Sequence, residues 1–278
     1  MKNFKIGLQL YSVRDDIAKD IDSTLGKVKE MGYDYVEFAG GYAEKTAEEV
    51  RALLDKHELD CVSVHQAPTG FTENAEATLD FITKLGIKYC ALPWMPFRGI
   101  TTEEEYREVI KDVKPIGELL RKKGLKFLYH NHDFEFKPIG GKLIIDRIFD
   151  EVGLDIINPE FDTCWVKYAG YEPVEYLKKY KGYCEVVHLK DFNCLELGAG
   201  PAYALIDASG KAGKSLSFED NKFSYEPLGM GRQNFPEILA ACEEVDSEYL
   251  IVEQDNSTVR PPLEAVKISR DYLKSLGI

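Results

Sequence analysis

A single-domain (β/α)8 barrel, the TIM barrel of the α/β class, is the fold the sequence predicts for residues 1–278. Three observations predict it. Eight short runs of β-branched and aromatic residues recur along the chain, and most are continuously apolar, as parallel strands covered on both faces are. Amphipathic segments with helical spacing fall between them, on short connections. The glycine signatures of open nucleotide-binding sheets are missing: no GxGxxG opens a helix after the first strand, and no GxxxxGK[ST] occurs. The nearest approach, Gly213-Lys214-Ser215 with Ala208 in the first glycine's place, has no strand before it and no helix after it. A doubly wound open sheet is the runner-up.

Taken in order, the strands are expected at Phe4–Leu10, Tyr35–Ala39, Asp60–His65, Tyr89–Pro93, Lys126–Asn131, Ile156–Asp162, Glu185–Leu189 and Tyr249–Glu253. A first helix carries Ile21, Leu25, Val28 and Met31 on one face and stops at Gly32. Thr102 with Glu105 forms a capping box, in which hydroxyl and carboxylate satisfy each other's orphan backbone N–H groups. The stripe Tyr106, Val109, Ile110, Val113, Ile116, Leu119 and Leu120 follows, with a kink expected at Pro115 and an end at Gly124. The last helix begins near Pro261-Pro262. A long loop, about residues 192–233, separates the seventh strand from its helix and is glycine-rich. Within it, Gly229-Met230-Gly231 reads as a plain turn or as a phosphate cradle ahead of a helix.

Composition narrows the function classes. A net charge of −13 argues against nucleic acid or an anionic membrane as the partner, since both attract basic faces. No apolar run approaches the roughly 18 residues of a membrane span, and Met1–Gly7 lacks the apolar core of a secretory leader. The six cysteines show no CxxC spacing, so reduced thiols and a cytoplasmic location are expected.

In a barrel, side chains at the C-terminal strand ends converge on one mouth, where catalysis takes place. Those ends carry Gln9, Glu37, His65 and Trp94, then His130, His132 and Glu135 in Tyr129-His130-Asn131-His132-Asp133-Phe134-Glu135. Glu160 and Asp162 follow, then His188 with Lys190 and Asp191, and finally Glu253 with Asp255. Four of the five histidines stand at strand ends. Left buried and unpaired these groups would be costly. One divalent cation shared by His nitrogen and carboxylate oxygen would relieve that cost. Such a donor set suits Mn²⁺ first, with Co²⁺, Zn²⁺ or Mg²⁺ as alternatives.

The motifs HNHxxE after strand five, Phe161-Asp162-Thr163 with Trp165 after strand six, His188-Leu189-Lys190-Asp191 after strand seven and Val252-Glu253-Gln254-Asp255 at strand eight stand in that order. With Gly7-Leu8-Gln9-Leu10-Tyr11-Ser12 at the start, they resemble the xylose isomerase-like TIM-barrel superfamily, the sugar phosphate isomerases/epimerases, in its HNHxxE branch. The resemblance spans nearly the whole chain. It implies one divalent metal held by Asp162, His188, Glu253 and a fourth group from strand five, Glu135 with His130 as the alternate. His132, Glu160 and Lys190 are then the proton-transfer candidates. Gln9, Glu37, His65, Trp94, His130 and Trp165 are the substrate-binding candidates. Trp165 stands where epimerases of the superfamily often carry a histidine.

The expected reaction is isomerisation or epimerisation of a ketose or keto-sugar by proton transfer through an enediolate. The alternative is a lyase that uses the same first step, inosose dehydratase-like or keto-glycoside-cleaving. An apurinic endonuclease on this fold would need a basic DNA track, which the charge argues against, and a non-enzymatic sugar-binding barrel would not need the metal. By resemblance such barrels are often homo-oligomers.

Overall fold

The computed structural model describes residues 2–198 and 221–278; the Gly213-Lys214-Ser215 stretch and the middle of the long loop lie outside the described residues. Eight strands close a barrel: β1 (Lys5–Gln9), β2 (Tyr35–Phe38), β3 (Asp60–His65), β4 (Tyr89–Leu92), β5 (Lys126–His130), β6 (Ile157–Asp162), β7 (Val186–Leu189) and β8 (Tyr249–Val252). Each is parallel to its chain neighbour, and β8 closes on β1. All eight expected strands are present, within a residue or two at the ends.

Strand side chains alternate inward and outward with period two, and that arithmetic builds the site. Val62, Tyr89, Ala91, Leu128, Val186, Tyr249 and Ile251 form a small apolar cluster, separate from the larger core between barrel and helices. Two residues beyond Leu128, Val186 and Ile251 stand His130, His188 and Glu253, on the same face of their strands. The pairings Gln9 with Glu37, His130 with Glu160, and Asp162 with His188 bring the polar ends to adjacent positions across the sheet. Gly7 makes room for this layer: a Cβ there would lie 2.6 Å from Ile251 Cδ1.

The other end of the barrel is shut. Tyr249 meets Tyr35 and Tyr89 edge-on, with centroids 5.4 and 5.8 Å apart. Such pairs contribute about 0.5–1.5 kcal/mol beyond their buried area. Lys5 and Lys88 bind Glu248 at 2.6 and 3.1 Å, and Lys126 pairs with Glu185.

Around the barrel, the capping box is made in both directions: Glu105 N–H donates to Thr102 Oγ1 at 3.2 Å, and Thr102 N–H donates to Glu105 Oε2 at 3.0 Å. The segment it opens is two helices rather than one kinked helix, Glu103–Ile110 and Val113–Lys122. Pro115 has no N–H for the carbonyl of Lys111 and its ring crowds that carbonyl, so the first helix ends a turn before the proline. The proline then sits in the first turn of the second helix, where no donor is needed. Gly124, at φ +76°, reverses the chain into β5. The start and end of the long loop pair as an antiparallel ribbon, Asp191–Asn193 with Ser224–Glu226. No helix among the described residues is long and apolar enough to cross a membrane.

Candidate active site

The polar strand ends meet in two tiers. In the inner tier Glu37 Oε1 accepts from Gln9 Nε2 at 2.7 Å and lies 2.9 Å from His65 Nε2 and 2.8 Å from His188 Nε2. His65 Nε2 is also 2.8 Å from Glu160 Oε2. In the outer tier His188 Nδ1 is 2.8 Å from Glu253 Oε2, and His130 Nε2 is 3.7 Å from Asp162 Oδ2. His188 therefore presents one ring nitrogen to each tier. Its ring and that of His130 lie 4.6 Å apart, nearly perpendicular.

Local structure fixes the donors. Asp162 caps the helix Thr163–Tyr168: Oδ1 accepts from Cys164 N at 2.8 Å, which leaves Oδ2 facing the mouth. Asp162 N–H in turn donates to Asn131 Oδ1 at 3.0 Å, tying strand six to the HNH stretch. Lys190 Nζ lies 2.8 Å from Asp162, 3.0 Å from Glu253 and 3.0 Å from Asp255. Burial opposes ionisation of Glu253, but the Lys190 ammonium and His188 outweigh it and hold the carboxyl well below its usual range. Burial, with His188 and His65 close by, keeps His130 well below its usual value. Its imidazole is neutral, the form that ligates metals.

Two sets of four buried donors converge, with each set's ligand atoms within 4.8 Å of one another: His130, Asp162, His188 and Glu253, and His65, His130, Glu160 and His188. Glu37 Oε2, Glu160 Oε1 and His130 Nδ1 are buried without a hydrogen-bond partner among the described residues. Orphaned donors and acceptors of this kind are costly unless a further group satisfies them. A mixed imidazole and carboxylate set without cysteine fits a single divalent ion of the Mn²⁺, Co²⁺ or Zn²⁺ kind.

Glu135, expected as the fourth ligand, belongs to neither set. Its Oε1 accepts from Tyr129 O–H at 2.6 Å and its Oε2 from His132 N–H at 2.8 Å. Burial pushes its carboxyl up to about 8. It shapes the turn that carries His132, while His130, the alternate, falls in both sets. The spacing HNHxxE gives no sign of this, because the 3₁₀ turn Phe134–Phe136 folds Glu135 back under the strand end.

A cleft of about 660 Å³ opens over this mouth, lined by His65, His130, His132, Trp94, Glu253 and Asp255 among others. Of the residues expected to touch substrate, His65, Trp94 and His130 face it. Gln9, Glu37 and Trp165 do not: the first two lie beneath in the inner tier, and Trp165 is buried against Phe223, with stacked rings 5.8 Å apart. Of the proton-transfer candidates, His132 faces the cleft, between Phe134 and Trp165. Glu160 reaches the cleft through His65, and Lys190 lies behind the carboxylates, over the Trp165 ring at 5.2 Å. Asp255, expected at the strand end but given no role, lines the cleft, and so does Tyr11, which was not expected there. Tyr11 lies two residues beyond Gln9, which is the signal that could have found it.

Gly229-Met230-Gly231, a plain turn or a phosphate cradle by sequence, turns its N–H groups on a carboxylate of the chain itself. Asp191 Oδ2 accepts from Gly229 N–H at 3.0 Å and Gly231 N–H at 2.9 Å, and Oδ1 from Gln233 N–H at 3.1 Å and Phe192 N–H at 2.9 Å. The described cysteines are free thiols, and burial pushes those of Cys61 and Cys242 up to about 12, where they are unreactive.

Known proteins of similar sequence and shape agree with this architecture. The family described as "Xylose isomerase-like TIM barrel" matches residues 25–276. An inosose dehydratase from Clostridium perfringens (strain 13 / Type A) is 26% identical over 177 residues, 63% of this chain and 56% of its own length. The match thus spans little more than half of that relative. A sugar phosphate isomerase/epimerase from Parabacteroides distasonis ATCC 8503 superposes with a TM-score of 0.77 at 22% identity, over 99% of this chain and 95% of that one. The IolI protein, crystallised with a bound zinc atom, superposes with a TM-score of 0.70 at 15% identity, over 98% of each chain. At these identities the two structures speak to the fold alone.

Proposed function

Because the chain belongs to the xylose isomerase-like TIM-barrel family, we propose that it is a metal-dependent lyase that removes the proton α to the carbonyl of a keto-sugar and expels a β-hydroxyl or β-alkoxyl group. The observation that carries the reading is convergence: donors from β5 to β8 meet beside an open cleft, with the imidazole of His132 in its wall. The inosose dehydratase relatives support elimination as the outcome.

His130, Asp162, His188 and Glu253 would hold the metal. A divalent ion there supplies Lewis acidity toward a carbonyl oxygen, which acidifies the neighbouring C–H. His132 takes the α-proton, the C–H electrons form the new C=C bond, and the β C–O bond breaks. The imidazolium of His132 returns the proton to the departing oxygen, so one residue serves both halves of the step and no external acid is consumed. A positioned acid–base group of this kind contributes about 10²–10⁴-fold. Glu37 and Glu160 position His188 and His65, and the Phe134 ring stacked on His132 at 5.3 Å fixes its plane.

Isomerisation or epimerisation is the second reading. It is favoured by His65, a second imidazole at the cleft backed by Glu160, since moving a proton between positions or faces calls for two carriers. Incubating the protein with ketoses and keto-inositols in D₂O, followed by NMR, separates the two. An unsaturated or cleaved product supports the lyase, and deuterium at carbon in an otherwise intact sugar supports the isomerase. Neither change with any keto-sugar in the panel would remove both.

A further inference from the structure

Which keto-sugar the cleft admits is a question of charge and shape, and several observations bear on it. Among the described residues, the cleft wall contains no lysine or arginine. Glu253 and Asp255 stand at its floor, and Asp112 and Glu108 at its rim, Glu108 paired there with Lys111. Two cations near this wall are committed elsewhere. Arg14 Nη1 donates to the carbonyls of Tyr11 and Asp255 at 2.8 and 2.7 Å, and Lys190 is enclosed by three carboxylates.

In barrels of this kind phosphate groups are commonly held by the loops after strands seven and eight. Here the backbone N–H cradle after β7 is occupied by the Asp191 carboxylate, and the chain after β8 presents Asp255. Gly231 is committed to that arrangement, since any Cβ there would collide with the Asp191 carboxylate. A phosphorylated substrate would bring a charge of about −1.5 to −2 into a cleft whose described lining holds four carboxylates and no lysine or arginine.

The shape points the same way. The cleft's volume, about 660 Å³, lies in the middle of the range of roughly 300–1,000 Å³ that encloses drug-sized ligands. Its lining includes Trp94, Met95, Pro96, Val109 and Pro68. A bare hexose would leave such apolar surface wet.

We infer that the substrate is an unphosphorylated, uncharged keto-sugar bearing an apolar substituent, with the sugar ring over His65, His130 and His132 and the substituent against Trp94. The inference rests on the sugar reading above and narrows it to one substrate class. Among the described residues the cleft lining offers a phosphate no lysine or arginine to pair with, and the aromatic plane of Trp94 takes the apolar group.

Isothermal titration of the full chain with D-glucose, D-glucose 6-phosphate and phenyl β-D-glucopyranoside tests it. The expected order is phenyl glucoside tightest and the phosphate weakest, each step about tenfold. Trp94→Ala should reduce the advantage of the phenyl glucoside over glucose. Asp112→Lys, at a half-buried position of the lining, should raise affinity for the phosphate. Glucose 6-phosphate binding as tightly as glucose, or a phenyl glucoside binding no tighter than glucose, would overturn the inference and leave the sugar reading standing. Absence of binding by all three probes would overturn the inference, while the D₂O experiment with keto-sugars decides the sugar reading.

Discussion

Lys190→Met removes a lysine that touches Asp162, Glu253 and Asp255, and its cost can be worked from the geometry. The ammonium lies 2.8, 3.0 and 3.0 Å from the three carboxylates and is about 1% exposed. At an effective dielectric near 20, each contact of this length is worth about 6 kcal/mol in gross Coulomb energy. Desolvation of all four groups offsets most of that sum. Removing one partner from a buried ionic cluster nevertheless costs about 3–5 kcal/mol, because the remaining charges stay buried without compensation. For a chain of this size that is a fall in melting temperature of about 6–20 °C. Asp162 and Glu253, with His130 and His188, should then bind Mn²⁺ more tightly than in the wild type. Saturation at about 100-fold over the dissociation constant returns roughly 2.7 kcal/mol. Thermal and urea unfolding with and without Mn²⁺ reads both effects. A loss below about 1 kcal/mol, or a loss that Mn²⁺ leaves untouched, refutes the reasoning.

Other residues give sharper or simpler tests. Glu37→Gln removes the carboxylate that orients His188 from behind, so metal affinity should fall about 10–100-fold in a chelator competition, with the fold unchanged by circular dichroism. Gly231→Ala should destabilise by about 1–3 kcal/mol in urea unfolding, since the added methyl displaces Asp191 from its four N–H donors. At the closed end, burial opposes ionisation of Glu248, but Lys5 and Lys88 prevail and bring its carboxyl down to about 2 from 4.5. Its stabilising effect is therefore complete above about pH 4.5 and disappears as pH falls toward 2, because the unfolded chain binds the proton first. The urea-midpoint gap between wild type and Glu248→Gln should accordingly narrow from pH 5 to pH 3, and a gap that widens contradicts the assignment.

The barrel was legible because its signal is local: β-branched runs such as Asp60–His65 cannot be amphipathic helices, and each is bounded by a turn. The shared position of Gln9, Glu37, His130, His188 and Glu253 was legible for the same reason, since a period of two carries the inward face from apolar to polar. Side-chain direction after the strand ends was not. Glu135 and Lys190 leave their strands through a 3₁₀ turn and a ribbon, where no period applies and tertiary partners decide. Tyr129 and the backbone N–H of His132 claim Glu135, and three carboxylates from β6 and the β8 end claim Lys190. The break before Pro115 was displaced for a related reason: a proline disrupts the carbonyl four residues earlier, so a helix ends upstream of it. Gly229-Met230-Gly231 read as a plain turn or a phosphate cradle; its N–H groups do hold an anion, but that anion is a carboxylate 38 residues earlier in the chain.

Deuterium exchange at the substrate carbon tests the central claim most directly, measured for wild type and His132→Asn on whichever keto-sugar in the panel the wild type turns over. The account predicts that the wild type incorporates solvent deuterium or forms the unsaturated product, and that His132→Asn loses this by about 10²-fold or more while keeping its bound metal. Exchange by His132→Asn at the wild-type rate would contradict it.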